Sequence, residues 1–224
     1  MRADDLGTKR EAFAAFSAAR SAQVIFVLVV AAVVARSSIS VWSGADVVVI
    51  AVSATLVGVV EWVIHLFLLH APVESHRMRV LKTGVGHRQH HLDPSALDFV
   101  LLRGVDTAVF GVLIAVGTAA WTLPLAMLIS ATAGTASLAG PVLTGILFAY
   151  LSLAHYEWTH LLVHTRYRPK TRYYRRLARN HRLHHYRNER YWLGVTSNLG
   201  DRVLGSYPAS KSKVPLSDTA RSLG

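Results

Sequence analysis

Ten of the chain's twelve histidines fall into four short clusters, and any fold must bring these clusters to a common purpose. They are His65 and His70; His87, His90 and His91; His160 and His164; and His181, His184 and His185. In Asn180-His181-Arg182-Leu183-His184-His185-Tyr186 the imidazoles stand at i, i+3 and i+4, a spacing that puts all three on one face of a helix. His87, His90 and His91 repeat it. Neutral imidazole is the commonest metal ligand. Ten at repeated short spacings exceed what one metal can bind, so the natural division is about five nitrogens on each of two metals. Cysteine is absent, which excludes disulfides and thiolate sites. An imidazole-only site suits zinc, iron, copper or nickel.

Apolar length is the second constraint. Residues 21–35 form a run that its flanks extend to about 20 residues, enough to span a bilayer. Residues 47–69 form a clearer run, closed by His65 and His70. The stretch 105–139 is too long for one simple span, contains Pro124 and ends in turn-like Gly-rich sequence. It reads as a span over 107–129, a turn near 133–140 and a returning span over 141–161 that runs into His160 and His164. The expected fold is all-α, a four-helix transmembrane bundle with a histidine-rich helical cap holding a di-metal centre. Residues 1–20 read as a cytoplasmic or interfacial segment with Phe13 and Phe16 among alanines, without a cleavable signal. Residues 21–207 form the membrane domain, and 208–224 read as a disordered tail.

The formal net charge of +11 raises the question of nucleic acid, but the long apolar runs argue against it. The cations lie in the segments between and after these runs: Arg77, Arg79, Lys82, Arg88 and Arg103, then Arg166, Arg168, Lys170, Arg172, Arg175, Arg176 and Arg179. Basic connecting loops mark the cytoplasmic side. Four spans return both termini and both histidine-rich loops to that side, where the clusters can meet.

Other residues are candidates for supporting the ligands. Glu61 stands four residues before His65, on the same helix face, where a carboxylate either accepts the second ring N–H of a ligating imidazole or reaches to the membrane surface. Glu157 stands three before His160. His155 is five before His160 and points roughly 140° away from it, so a hydrogen bond within the bundle is the simpler reading. His76 reads as a solvated loop residue. Gly84 and Gly86 are expected to turn the chain into a short helix. Tyr156, Trp158 and Trp192 read as packing or interface residues, and 186–207 as a loop packed on the domain.

The four boxes together, His65-x4-His70, His87-x2-His90-His91, His160-x3-His164 and His181-x2-His184-His185, resemble those of the integral-membrane fatty acid hydroxylase superfamily. The first-box spacing is similar to that of the fatty acid 2-hydroxylase branch, whereas the sterol desaturase branch usually has a tighter one. Tyr156-Glu157-Trp158-Thr159-His160 and the stretch from His184-His185-Tyr186 through Gly194-Val195-Thr196-Ser197 to Asp201-x-Val203-x-Gly205 look like further family signatures. The resemblance covers roughly residues 61–207. It implies two iron ions, replaceable by zinc on purification, with O2 as co-substrate and hydroxylation of a lipid acyl chain as the reaction. Many eukaryotic members carry a fused haem electron carrier. None is expected before the first span here, so the electrons would come from a separate reductase or a ferredoxin or haem carrier. A desaturase, or a sterol or carotenoid oxidase, would use the same centre. A membrane metal transporter fits less well, because its ligands would be strung across the bilayer.

Overall fold

The computed structural model describes residues 1–72, 74–76, 83–133 and 137–223, and among them the fold is helical with no β-strand. In chain order the α-helices are α1 (Lys9–Ala18), α2 (Arg20–Ser37), α3 (Gly44–Ile64), α4 (Thr83–Leu92), α5 (Leu97–Val100), α6 (Gly104–Ala133), α7 (Ala139–His164), α8 (Arg172–Tyr186) and α9 (Leu199–Val203). Four stretches are long and apolar enough to cross a membrane: Arg20–Ser37, Gly44–Leu69, Leu97–Thr132 and Ala139–His164. They match the four spans expected from the sequence. Bulky side chains such as Phe26, Val112 and Leu128 point outward from them, as lipid-facing residues do. The basic residues Arg77, Arg79 and Lys82 and the turn at 134–136 lie outside the described residues.

The chain forms two compact units: residues 1–19, 58–103 and 156–224 make one, and residues 20–57 and 104–155 the other. The second unit consists of span residues and their outer turn. Its helices approach closely at small side chains: a Cβ at Gly111 would lie 2.6 Å from Leu28 Cδ1, and one at Gly145 would lie 2.8 Å from Thr122 Cγ2. Small residues at such crossings let apolar helices pack tightly in lipid. α6 continues through Pro124, a position where the backbone lacks its N–H donor. The turn after α2 is tied by Arg36 and Asp46, 2% and 1% exposed. Arg36 donates to Asp46 Oδ1 (3.1 Å), Thr144 Oγ1 (2.8 Å) and the carbonyls of Ile39 (2.7 Å) and Val41 (3.2 Å), and stacks 3.8 Å from the centre of the Trp42 ring. A buried ion pair is tolerable only when its remaining hydrogen-bonding capacity is filled in this way.

The first unit gathers Ala3, Val100, Leu101 and Leu161 into a core, with Phe16, Ala19 and Leu97 packed on it. α1 starts at a capping box in which Thr8 and Glu11 satisfy each other's backbone N–H groups. Its Phe13 and Phe16, read from the sequence as the apolar face of an interfacial helix, both meet the Trp158 ring edge-on. Arg2 pairs with both oxygens of Asp93 at 3.0 and 2.9 Å. Gly84 and Gly86 do not form a turn as expected; they lie inside α4, where glycine is tolerated at a modest entropic cost. Residues 186–207 are the packed loop expected, with Trp192, Leu193 and Val195 buried and α9 within it. A Cβ at Gly200 would come within 2.5 Å of the Gly58 carbonyl oxygen, so only glycine lets α9 sit so close to α3.

Residues 208–223 differ from the disordered tail read from their Ser, Lys and Pro content. Val214 and Ala220 are buried, Ser217 N–H donates to the Arg187 carbonyl (2.8 Å), and Arg187 Nε donates to the Val214 carbonyl (2.8 Å). Composition misleads here because the segment is held through its backbone, which any side-chain sequence can supply.

Candidate metal centre

All ten clustered histidines lie in the first unit, and they form two groups of five. One group holds His65, His70, His87, His91 and His184; the other holds His90, His160, His164, His181 and His185. Within each group the candidate ligand atoms all lie within 4.8 Å of one another. Each three-histidine box is shared. His87 and His91 go to one group and His90 to the other, while His181 and His185 pair against His184. Helix geometry explains the split. At about 100° per residue, i and i+4 stand on one flank and i+3 on the other.

The first group also needs a local irregularity. Residues five apart on an α-helix diverge, yet His65 and His70 converge, with ring centroids 4.8 Å apart. The reason is a single wide turn over His65–Leu69, in which the His70 N–H donates to the His65 carbonyl (3.0 Å). That i→i+5 bond stacks residues five apart as an α-turn stacks residues four apart, and such bulges recur at functional sites.

Several nitrogens face one another at metal-ligand spacing. His87 Nε2 lies 3.1 Å from both His65 Nε2 and His70 Nε2, and His181 Nε2 lies 2.9 Å from His164 Nε2 and 3.0 Å from His185 Nε2. Two nitrogens each about 2.1 Å from one metal at right angles would be about 3 Å apart. Other ring nitrogens are buried without a hydrogen-bond partner: Nε2 of His90, His91, His160 and His184, and Nδ1 of His90, His181 and His185. A dry, unpaired ring nitrogen is costly unless a metal takes its lone pair. The all-imidazole donor set therefore fits a pair of borderline transition metals.

Four of the rings are oriented from behind by backbone carbonyls. Nδ1 of His65 meets Leu193 O (2.5 Å), that of His91 meets Ala220 O (2.7 Å), that of His160 meets Val100 O (2.9 Å) and that of His184 meets Tyr191 O (3.0 Å). A proton on Nδ1 leaves Nε2 free to ligate, so each carbonyl selects the tautomer a metal needs. Burial drives the imidazoles of His70, His87, His90, His181, His184 and His185 well below their usual pKa, with neighbouring histidines adding to the shift. It pushes His91 down to about 4, against the opposing pull of the Ala220 carbonyl and Glu189. Neutral imidazole is the ligating form.

The two carboxylates singled out in the sequence act at one remove. Glu61 is buried and makes no bond to His65. Its Oε1 accepts the backbone N–H groups of Val195 and Thr196 (2.8 Å for the latter), and its Oε2 accepts the Thr196 hydroxyl (2.5 Å). It therefore neither reaches to the membrane surface nor touches the ring; it holds the loop whose Leu193 carbonyl orients His65. Asp201 holds the same loop through the N–H groups of Leu193 (2.8 Å) and Gly194 (2.9 Å), and accepts from Ser206 Oγ (2.5 Å), which itself accepts from Trp62 Nε1 (2.7 Å). Burial raises the Asp201 pKa, and these donors oppose the shift. Glu157 accepts the Leu102 N–H (3.1 Å) and so steadies the segment whose Val100 carbonyl orients His160. His155 and His76 are exposed and belong to neither group. Tyr156 stacks on His160 at 5.6 Å, and Trp192 is buried, which agrees with packing roles. The carbonyl acceptors were not legible beforehand, since every residue carries one.

A family model described as fatty acid hydroxylase matches residues 50–206. The chain belongs to the fatty acid hydroxylase family. All ten clustered histidines fall within the matched residues. The chain is also 32% identical over 152 residues to the dihydroceramide fatty acyl 2-hydroxylase FAH2 of Arabidopsis thaliana, an alignment that covers 68% of this chain and 57% of that relative. It thus spans little more than half the length of the curated relative it matches. No solved structure matches it.

Proposed function

We propose that this family member is an integral-membrane lipid hydroxylase, acting on an acyl chain at a centre of two metals held by the ten histidines. The observation that carries the reading is the division of those histidines into two groups of five, converging and buried. The relative's name supports an acyl chain as substrate, oxidised next to its carbonyl carbon. Bound iron would supply the O2-dependent oxidation of an unactivated C–H bond. The protein's own residues do the rest. The His65, His91, His160 and His184 rings are locked in the ligating tautomer by carbonyls, and Glu61, Asp201 and Glu157 fix the segments that carry three of those carbonyls or lie beside them. Burial keeps water from the ring nitrogens. Two of the ligand boxes close candidate membrane spans, at His65–Leu69 and at His160 and His164, so a lipid tail can approach from the bilayer. We place the termini and the centre on the cytoplasmic side, on the strength of the basic connecting segments. Electrons come from a separate donor protein.

Lipid mass spectrometry under 18O2 tests this, comparing cells that make the intact protein with cells that make His184→Ala. A lipid that gains one labelled oxygen atom only with the intact protein is the expected result, and it names the substrate. Loss of two hydrogens instead would make the protein a desaturase. Unchanged lipids beside a protein that holds two metals would favour transport or storage.

A further inference from the structure

We propose that residues 208–223 are a strap that positions His91 as a metal ligand and keeps metal in its group; this rests on the metal-centre reading above. Of the four carbonyls that orient ligand rings, three lie within residues 50–206, the part of the chain matched by the family model. The fourth, Ala220 O, lies beyond it, and it takes the Nδ1–H of His91 at 2.7 Å. His91 is fully buried, its Nε2 has no partner, and its ring centroid is 4.1 Å from that of His185 in the other group. The ring therefore stands where the two groups adjoin, and only Ala220 selects its tautomer among the described residues.

The strap is fastened at both ends of the ligand helices. Near the end of α8, Glu189 Oε1 accepts the Ser217 hydroxyl (3.1 Å) and the Thr219 hydroxyl (2.8 Å), on either side of the residue just before Ala220. On α4, Arg88 Nη1 donates to the Leu223 carbonyl (2.7 Å), one residue after His87. Arg221 Nη2 donates to the Leu92 carbonyl at the end of α4 (3.0 Å). The same segment thus ties α4, which supplies three ligands, to α8, which supplies three more. Groups that hydrogen-bond to a ligand's far nitrogen typically change metal affinity 10- to 100-fold.

Deleting 208–224 would confound folding with metal loss, so the test uses the mild variant Ser217→Ala/Thr219→Ala, which removes both hydroxyls from Glu189. The control is Lys211→Ala/Lys213→Ala, at exposed positions of the same segment. Metal per chain is measured over time in chelator, with helicity followed by circular dichroism. The double hydroxyl variant is expected to fall from two metals towards one at least about tenfold faster than the wild type, with helicity unchanged and the control like the wild type. Wild-type chain with two metals, and the variant retaining both for as long, would overturn the strap alone. Wild-type chain without stoichiometric metal would overturn the centre and the strap together.

Discussion

Glu61 Oε1 receives two backbone N–H groups from the loop that orients His65, although the residue lies 134 positions from its partner Val195. Its worth lies in oxygen placement more than in charge, and this can be separated. Glu61→Ala leaves both donors buried and dry, at a cost of about 1–3 kcal/mol for each unsatisfied group. The thermal midpoint should fall and the His65 group should release metal. Glu61→Gln keeps Oε1, so it should restore most of both properties. If the glutamine variant melts and loses metal as the alanine variant does, the carboxylate's charge matters and the loop-holding role is wrong.

The wide turn at His65–Leu69 decides the register of the first box at the level of the element. Phe67 lies within it and is half-exposed, so the turn can be altered there without cutting into a core. Deleting Phe67 should turn the i→i+5 bond into an ordinary i→i+4 bond and leave the two imidazoles on one face. Inserting an alanine after Phe67 should separate them. Metal analysis of purified protein should then find about two metals per chain for the deletion and about one for the insertion, taking one metal per five-nitrogen group. Two metals in the insertion variant would show that His70 is dispensable.

Across the whole molecule, the histidine helix α8 has two faces. Leu177, Ala178, His181, His184 and His185 are buried, whereas Arg172, Arg175, Arg176, Arg179 and Arg182 are exposed. A surface of this sign favours an acidic electron donor, and steering by charge raises association rates by about tenfold or more at low salt. Replacing Arg172, Arg175 and Arg176 by Glu should slow donor-supported turnover by about that factor in low salt, with the gap closing as salt rises. Metal content should not change. Turnover equal to wild type at every ionic strength would remove this face from consideration.

The spans and the ligand boxes were legible in the chain because both depend on local properties: apolar length against bilayer thickness, and imidazoles at helical spacing. The number of ligands also implied two metals before any fold was known. Three things depended on the tertiary structure. The boxes cross-share their histidines, His90 and His184 each leaving its neighbours for the other group, because the facing helix and not the box decides which flank is used. The His65–His70 pair converges only through a wide turn that its five-residue spacing does not announce. The tautomers are set by the carbonyls of Val100, Tyr191, Leu193 and Ala220, which carry no side-chain signature and reach their rings only when distant segments pack. Side-chain chemistry is written locally, whereas backbone acceptors gain a role only from the fold that delivers them.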